Sequence, residues 1–287
     1  MAKETRTIMK RWLTILASGA MALGTLAISN DAAAQEIQLT GPLAGAPAVR
    51  RLRHYREGRF ELGAGMSATL LDEYRRTYFV TGRLQYNLFD WLGVGVFGGY
   101  GLIGLSTDLT DQIDSVSPRN SRTAVNVGPR GKFADQTARY TYMINPQLVF
   151  SPFRGKLAIF QKLFVDTDLY VHGGVAFVGL QERGDCGGPG KKPCSDPTTF
   201  GLESRTAVAP SFGLGLSLYT TNFISLAFEY RAFPFSWNRA GFDQRGGGND
   251  AKFPDQRVDA EDRTFSFNQM FTLQAGFYLP TLPKTTD

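Results

Sequence analysis

Residues 206–233 read TAVAPSFGLGLSLYTTNFISLAFEYRAF. In the first half, Thr206 to Leu218, Val208, Phe212, Leu214, Leu216 and Leu218 alternate with Ala207, Ser211, Gly213 and Ser217. Only Tyr219 to Asn222 intervene before the second half, Phe223 to Phe233. There Ile224, Leu226, Phe228 and Tyr230 alternate with Ser225, Ala227, Glu229 and Arg231. Successive side chains of a strand point to opposite faces, so this period marks two strands, each with one apolar and one polar face. The tight link joins them as an antiparallel hairpin.

Six further segments repeat the pattern: Arg59 to Thr69, Tyr78 to Leu88, Leu92 to Tyr100, Tyr140 to Phe150, Asp166 to Phe177 and Phe265 to Leu279. Segments of about ten alternating residues are what bilayer-spanning strands use, although a soluble sandwich alternates too. The links discriminate. Phe89-Asp90-Trp91 and Tyr219 to Asn222 are short, whereas 102–139, 180–205 and 234–264 are long and polar. Short links on one side and long ones on the other predict an all-β fold: an eight-stranded, antiparallel, up-and-down transmembrane β-barrel with short periplasmic turns and long external loops. An even strand number puts both ends of the barrel segment in the periplasm. Tyr86, Phe89 and Trp91, then Phe150 and Phe153, then Phe277 and Tyr278, fit an aromatic girdle at the bilayer boundary. One link departs from this scheme. Ser151 to Lys156 reads as a turn, and Leu157, Phe160 and Phe164 have helical spacing, so a short interfacial helix over 157–164 is expected, with a longer fifth strand as the alternative.

The N-terminus is a separate unit. Lys3, Arg6, Lys10 and Arg11 precede an apolar run from Leu13 to Ile28, and small residues follow at Ala32 to Ala34. This is the pattern of a secretory signal peptide over 1–34, with cleavage between Ala34 and Gln35. The expected organisation continues with a periplasmic segment over 35–57, the barrel over 58–280 and a periplasmic tail over 281–287. No other long apolar run exists, which excludes a helical membrane protein. The net charge of +5 lies partly in the signal peptide and accompanies no aromatic–basic motif, so nucleic acid is not an expected partner. The 32 glycines and 22 phenylalanines are more than a soluble domain of this length needs, and they suit closely packed, lipid-facing strands.

Several short motifs follow one another along the chain. Glu36 to Gly45 leads into Tyr55 to Leu62; Ser151 to Lys156 follows, then Asp168-Leu169-Tyr170 with Gly173-Gly174, and finally Gly276 to Pro280. Together these resemble an outer-membrane β-barrel domain family typical of myxobacteria and their relatives. The resemblance implies an eight-stranded barrel and no catalytic residue. Pro280 and a polar tail follow the closing aromatic strand, a departure from the usual terminal aromatic of outer-membrane barrels.

Three motifs invite a functional reading. Gly93-Val94-Gly95-Val96-Phe97-Gly98 matches a dinucleotide fingerprint in letters, but that fingerprint needs a strand before it and a helix after it. These glycines sit inside an alternating strand, so no nucleotide and no other cofactor is expected. Cys186 and Cys194 are the only cysteines. In an oxidising compartment, across a Gly/Pro spacer and with no histidine nearby, a disulfide pinning an external loop is expected rather than a metal site. Glu61, Arg83, Asp168, His172, Glu229 and Arg231 all fall on the polar face. Eight strands leave an interior only wide enough for side chains, so these charges are expected to pair as one plugging network. Asp168 and His172 are about 13 Å apart along one strand, too far to form a catalytic pair.

The functional expectation is a small outer-membrane barrel with a filled lumen and a structural or surface-interaction role, and not an enzyme. A narrow channel for ions or small solutes is the alternative; a lipid-modifying enzyme is the weaker one. The expected environment is the outer membrane of a Gram-negative bacterium. The expected partners are outer-membrane lipids and lipopolysaccharide and the barrel-insertion machinery, and the sequence names no extracellular ligand although the long loops leave room for one. The barrel is expected to be monomeric.

Overall fold

The computed structural model describes residues 56–116, 133–159, 163–245 and 253–281. The expected signal peptide, its cleavage point at Ala34 and Gln35, residues 35–55 and the tail beyond 281 lie outside the described residues.

Eight strands run in chain order: β1 Phe60–Leu70, β2 Arg75–Asn87, β3 Leu92–Ser106, β4 Arg139–Ile159, β5 Leu163–Arg183, β6 Leu202–Tyr219, β7 Ile224–Trp237 and β8 Thr264–Leu279. Each pairs antiparallel with its neighbours, and β1 pairs with β8, so the sheet closes into an up-and-down barrel. Closure removes the two free edges that an open sheet would expose.

The alternation is expressed as two faces of opposite character. Along β8 Phe271, Leu273, Phe277 and Leu279 are exposed, while Thr272, Gln274 and Tyr278 are buried. The same holds around the ring: Met66, Leu84, Val96, Leu148 and Leu214 face out, and Ser67, Arg83, Phe97, Gln147 and Ser217 face in. The barrel is thus apolar outside and largely polar inside. Glycines on the inner face make room for larger neighbours: a Cβ at Gly215 would overlap the Tyr170 ring, and one at Gly93 would press on the Gln85 amide. Of the fingerprint-like glycines, Gly93 and Gly95 serve this packing role, whereas a Cβ at Gly98 would meet only ordinary contact.

Strands overrun the segments read from sequence, chiefly at the long-loop end. β3 continues to Ser106, β5 to Arg183 and β7 to Trp237. The outward positions there are no longer uniformly apolar, so alternation fades although backbone pairing continues. Among the described residues of the span 157–164, strand stands where a helix was expected. β4 and β5 instead pair from Phe153↔Leu169 through Arg154↔Asp168 to Ile159↔Leu163, with an irregularity between Phe150 and Phe153 beside Pro152. A hairpin satisfies backbone donors across the pair, whereas an isolated helix of two turns is marginal in water.

At the long-loop end, α1 (Asp108–Val116) and α2 (Phe133–Gln136) pack over the rim. Phe133 meets the Tyr74 ring edge-on at 5.7 Å and stacks on Phe242 at 5.5 Å. Cys186 and Cys194 are disulfide-bonded. Arg183 ties that loop to the next by donating to the carbonyls of Cys194 at 2.9 Å and Gly241 at 2.8 Å.

Candidate functional site: the barrel lumen

Charged side chains fill the half of the lumen nearer the short turns, and they form two clusters. The central cluster grows from β1, β2, β5 and β7. Their register places Glu61, Arg83, Tyr170, His172, Glu229 and Arg231 on inward positions. Arg83 pairs with Glu61 through Nη2, and its Nη1 lies 3.3 Å from Glu229 Oε2. Arg231 Nη2 pairs with Glu229 Oε1, and His172 Nε2 lies 3.4 Å from that same oxygen. The Tyr170 hydroxyl donates to Glu229 Oε2 at 3.1 Å and accepts from Arg83 Nη1 at 3.1 Å. Arg231 also reaches Ser211 at 3.3 Å. Glu229 is 1% exposed and Arg231 0%. Two guanidiniums thus face two carboxylates in a space closed to solvent. A buried charge is tolerated only when paired in this way.

Asp168 is not part of that cluster. It lies nearer the short turns, 3.4 Å from Arg56 Nε and 3.7 Å from Arg154 Nε, and accepts from the Tyr219 hydroxyl at 2.6 Å. Arg154 also approaches Asp90 Oδ1 at 3.3 Å. Arg56 comes from the chain just before β1. Its backbone N–H donates to Asp90 at 2.8 Å, and its guanidinium enters the lumen to reach Ser151. Arg59 follows it across the mouth, donating to the carbonyls of Pro280 and Asn222, both at 3.0 Å. The single network expected from sequence is therefore two, each with two arginines and two carboxylates. The Tyr219 and Tyr278 hydroxyls, 3.2 Å apart, lie between them. Tyr278 is fully buried, not a girdle residue as its place at a strand end suggested.

The half of the lumen nearer the long loops is mainly apolar. Phe79, Phe97, Tyr140, Met143, Phe233, Phe235, Trp237 and Met270 form one buried cluster. The rings of Tyr140 and Trp237 are 4.8 Å apart, and Phe235 lies 5.6 Å from Trp237. At the boundary the Arg231 guanidinium lies over the Phe97 ring at 4.1 Å. Above the cluster, Glu182 gathers Arg205, Arg263 at 2.9 Å and the Asn238 N–H at 3.3 Å, fastening three strand ends at the rim.

Sequence reasoning found Glu61, Arg83, His172, Glu229 and Arg231 because each stands on the polar face of a well-read strand. It missed Arg56, which precedes the first strand and belongs to no alternation. It missed Arg154 because residues 151–156 read as a turn. It missed the aromatic block because Phe233 and Trp237 were read as a strand end and a loop.

The fold and lumen define a class: a closed, up-and-down, eight-stranded antiparallel barrel, apolar outside and filled inside. No family model and no curated protein matches the chain. Among solved structures it is similar to the N-terminal β-barrel domain of Pseudomonas aeruginosa OprF, at 11% identity over 78% of this chain and 98% of that one, with a TM-score of 0.40. Neisserial surface protein A is similar at 11% identity over 77% and 98%, with a TM-score of 0.37. Ail of Yersinia pestis follows at 12% identity over 78% and 99%, with a TM-score of 0.33.

Proposed function

We propose that the chain is an outer-membrane barrel whose lumen is a solid plug, and that it serves as a structural or surface-interaction scaffold for its long loops. The observation that carries this reading is the inversion of the barrel: charges at 0–1% exposure inside, and Leu214 at 53% and Met66 at 63% exposure outside. A large continuous apolar exterior is unfavourable in water and favourable in hydrocarbon. The belt has the right height. From Leu92 to Tyr100 on β3 is about 26 Å along the strand, and roughly 20 Å once the strand tilts, close to the band of known barrels. Phe89, Trp91, Phe150 and Phe277 mark one boundary and Tyr78, Tyr100 and Tyr142 the other, all with their rings facing outward. Two charge clusters and an aromatic block lie in series along the axis, which argues against the channel alternative. The lipid-modifying alternative needs a nucleophile beside a base. His172, the one histidine among the described residues, faces Glu229 and Arg231 instead.

Two measurements test this. The protein should fractionate with the outer membrane and migrate in a heat-modifiable way, and purified protein in planar bilayers should give no steady single-channel current. Recovery from the soluble periplasm would reject the membrane reading. Steady currents from the unmodified protein would reject the plug.

A further inference from the structure

β3 and β4 are paired only up to Tyr100↔Tyr142. Both strands continue beyond that point, but away from each other. β3 goes on pairing with β2 as far as Arg75↔Ser106. β4 goes on pairing with β5 as far as Arg139↔Gln181. A crevice of about 230 Å³ opens in the wall between them, just beyond the tyrosines that mark the upper boundary of the apolar belt. Arg75, Thr77, Tyr100, Arg139, Tyr140 and Gln181 line it. Arg75 lines it from the β2 side, donating to the Gly104 carbonyl of β3 at 3.3 Å, while Arg139 Nε donates to Gln181 at 2.7 Å. The two guanidiniums are close enough to repel, and Asp135 on α2 lies within electrostatic reach of Arg75. Arg75 Nε and the hydroxyl of Thr77, a residue 3% exposed, have no hydrogen-bond partner among the described residues.

We propose that this crevice binds a phosphoryl group, and that its source is the phosphorylated headgroup of a glycolipid in the outer leaflet. Two like charges converge on one polar crevice, with spare donors and one carboxylate nearby, so the missing partner is an anion. Arginine suits phosphoryl oxygens because its planar fork donates two parallel hydrogen bonds. The level fits the source: above the girdle the wall leaves hydrocarbon and enters the headgroup layer. The choice of a lipid rests on the bilayer reading above. The anion site rests on the crevice alone.

The experiment compares wild type with Arg75→Gln and Arg139→Gln, with Arg257→Gln, a half-buried arginine outside the crevice lining, as control. All are first shown to keep heat-modifiable migration. Binding is measured for inorganic phosphate in detergent and for nanodiscs containing bisphosphorylated or enzymatically dephosphorylated lipid A. The expected result is preference for the phosphorylated lipid, weakened about tenfold by either crevice substitution and unchanged in the control. Phosphate binding that needs both arginines without any lipid preference would keep the anion site and overturn its lipid source. Equal binding by wild type and both crevice variants, or none by wild type, would overturn the site. A soluble protein that still binds phosphate through Arg75 would reject the bilayer reading while leaving the site intact.

Discussion

The lower half of the lumen, from the short turns to Phe97, is filled by four arginines, their carboxylates and three tyrosines; the upper half is filled by Phe79, Phe233, Phe235, Trp237 and two methionines. Both halves exclude solvent, by different physics. The aromatic half is held by area removed from water and by packing, which are non-directional and tolerate rearrangement. The charged half is held by a balance of desolvation against pairing, in which each arginine is set against a carboxylate. Removing one member of the first leaves a hole; removing one member of the second leaves an uncompensated charge. The two halves should therefore respond differently to substitutions of similar size.

The largest effect is expected at Arg231. Arg231→Ala leaves Glu61 and Glu229 facing Arg83 alone, and an unpaired buried charge typically costs about 3–5 kcal/mol. Urea unfolding in lipid vesicles should show that loss. Pairing Arg231→Met with Glu229→Gln restores neutrality, because Glu61 keeps Arg83, and should recover most of it. If the double variant is no more stable than Arg231→Ala, the balance of charge is not what holds this half.

The outer wall gives the next effect. Leu214 faces out near mid-strand, and arginine at the bilayer midplane costs about 2–4 kcal/mol in barrels of this kind. Leu214→Arg should lower folding yield into vesicles far more than Leu214→Phe does. Equal yields would mean that the exposed belt does not meet hydrocarbon.

A smaller effect is expected in the aromatic half. Phe233→Leu keeps an apolar side chain of similar bulk, and such swaps usually cost less than about 1.5 kcal/mol. The same change at Phe97 also removes the ring beneath the Arg231 guanidinium, a contact worth up to about 2 kcal/mol when desolvated. Phe97→Leu should therefore cost more than Phe233→Leu in parallel unfolding curves. Equal costs would erase the distinction drawn at the boundary.

The two halves also differ in how far the sequence discloses them. Alternation around Glu229 and Arg231 or around Leu214 is unambiguous, since a strand flanked by hydrocarbon and a polar lumen must switch character at every residue. The strand count, the faces and five central charged residues follow from that rule. The rule fails where one of the two environments ends. In the upper lumen the contrast is inverted: Phe233, Phe235 and Trp237 face in while Pro234 and Ser236 face out, so a rule of apolar outside and polar inside does not place them. Below the belt, the paired ends of β4 and β5 leave the wall, and Arg154 reads as part of a turn. Arg56 reaches the lumen from outside any strand, and only tertiary closure reveals it. The loop cysteines were legible for another reason: with one possible partner each and a flexible spacer, geometry leaves little choice.

The smallest effect tests the loops above the aromatic half, where one carboxyl is set against its surroundings. Asp262 follows Asp259 in a short capping turn and accepts the N–H groups of Gln244 at 2.7 Å and Asp259 at 2.7 Å. Burial pushes its pKa up to about 6, and the nearby Asp243 and Asp259 add to the shift, against those two hydrogen bonds. A raised carboxyl binds its proton more tightly in the folded loop than in the opened one, whose value is near 3.9. Stability of the loop is therefore lowest above pH 6 and grows as pH falls through 6; the gain is complete below about 3.9, where both states are protonated. Hydrogen exchange at the Gln244 and Asp259 amides should accordingly be slower at pH 5 than at pH 7.5, after correction for the intrinsic rate. Asp72, between β1 and β2, is also raised to about 6, chiefly by burial, so a global stability curve would mix the two. The amide readout separates them, and Asp262→Asn should remove the pH dependence at Gln244 and Asp259 while leaving the lumen clusters untouched. Protection that is flat between pH 5 and 7.5 in the wild type, or equally steep in Asp262→Asn, would show that this carboxyl does not govern the loop.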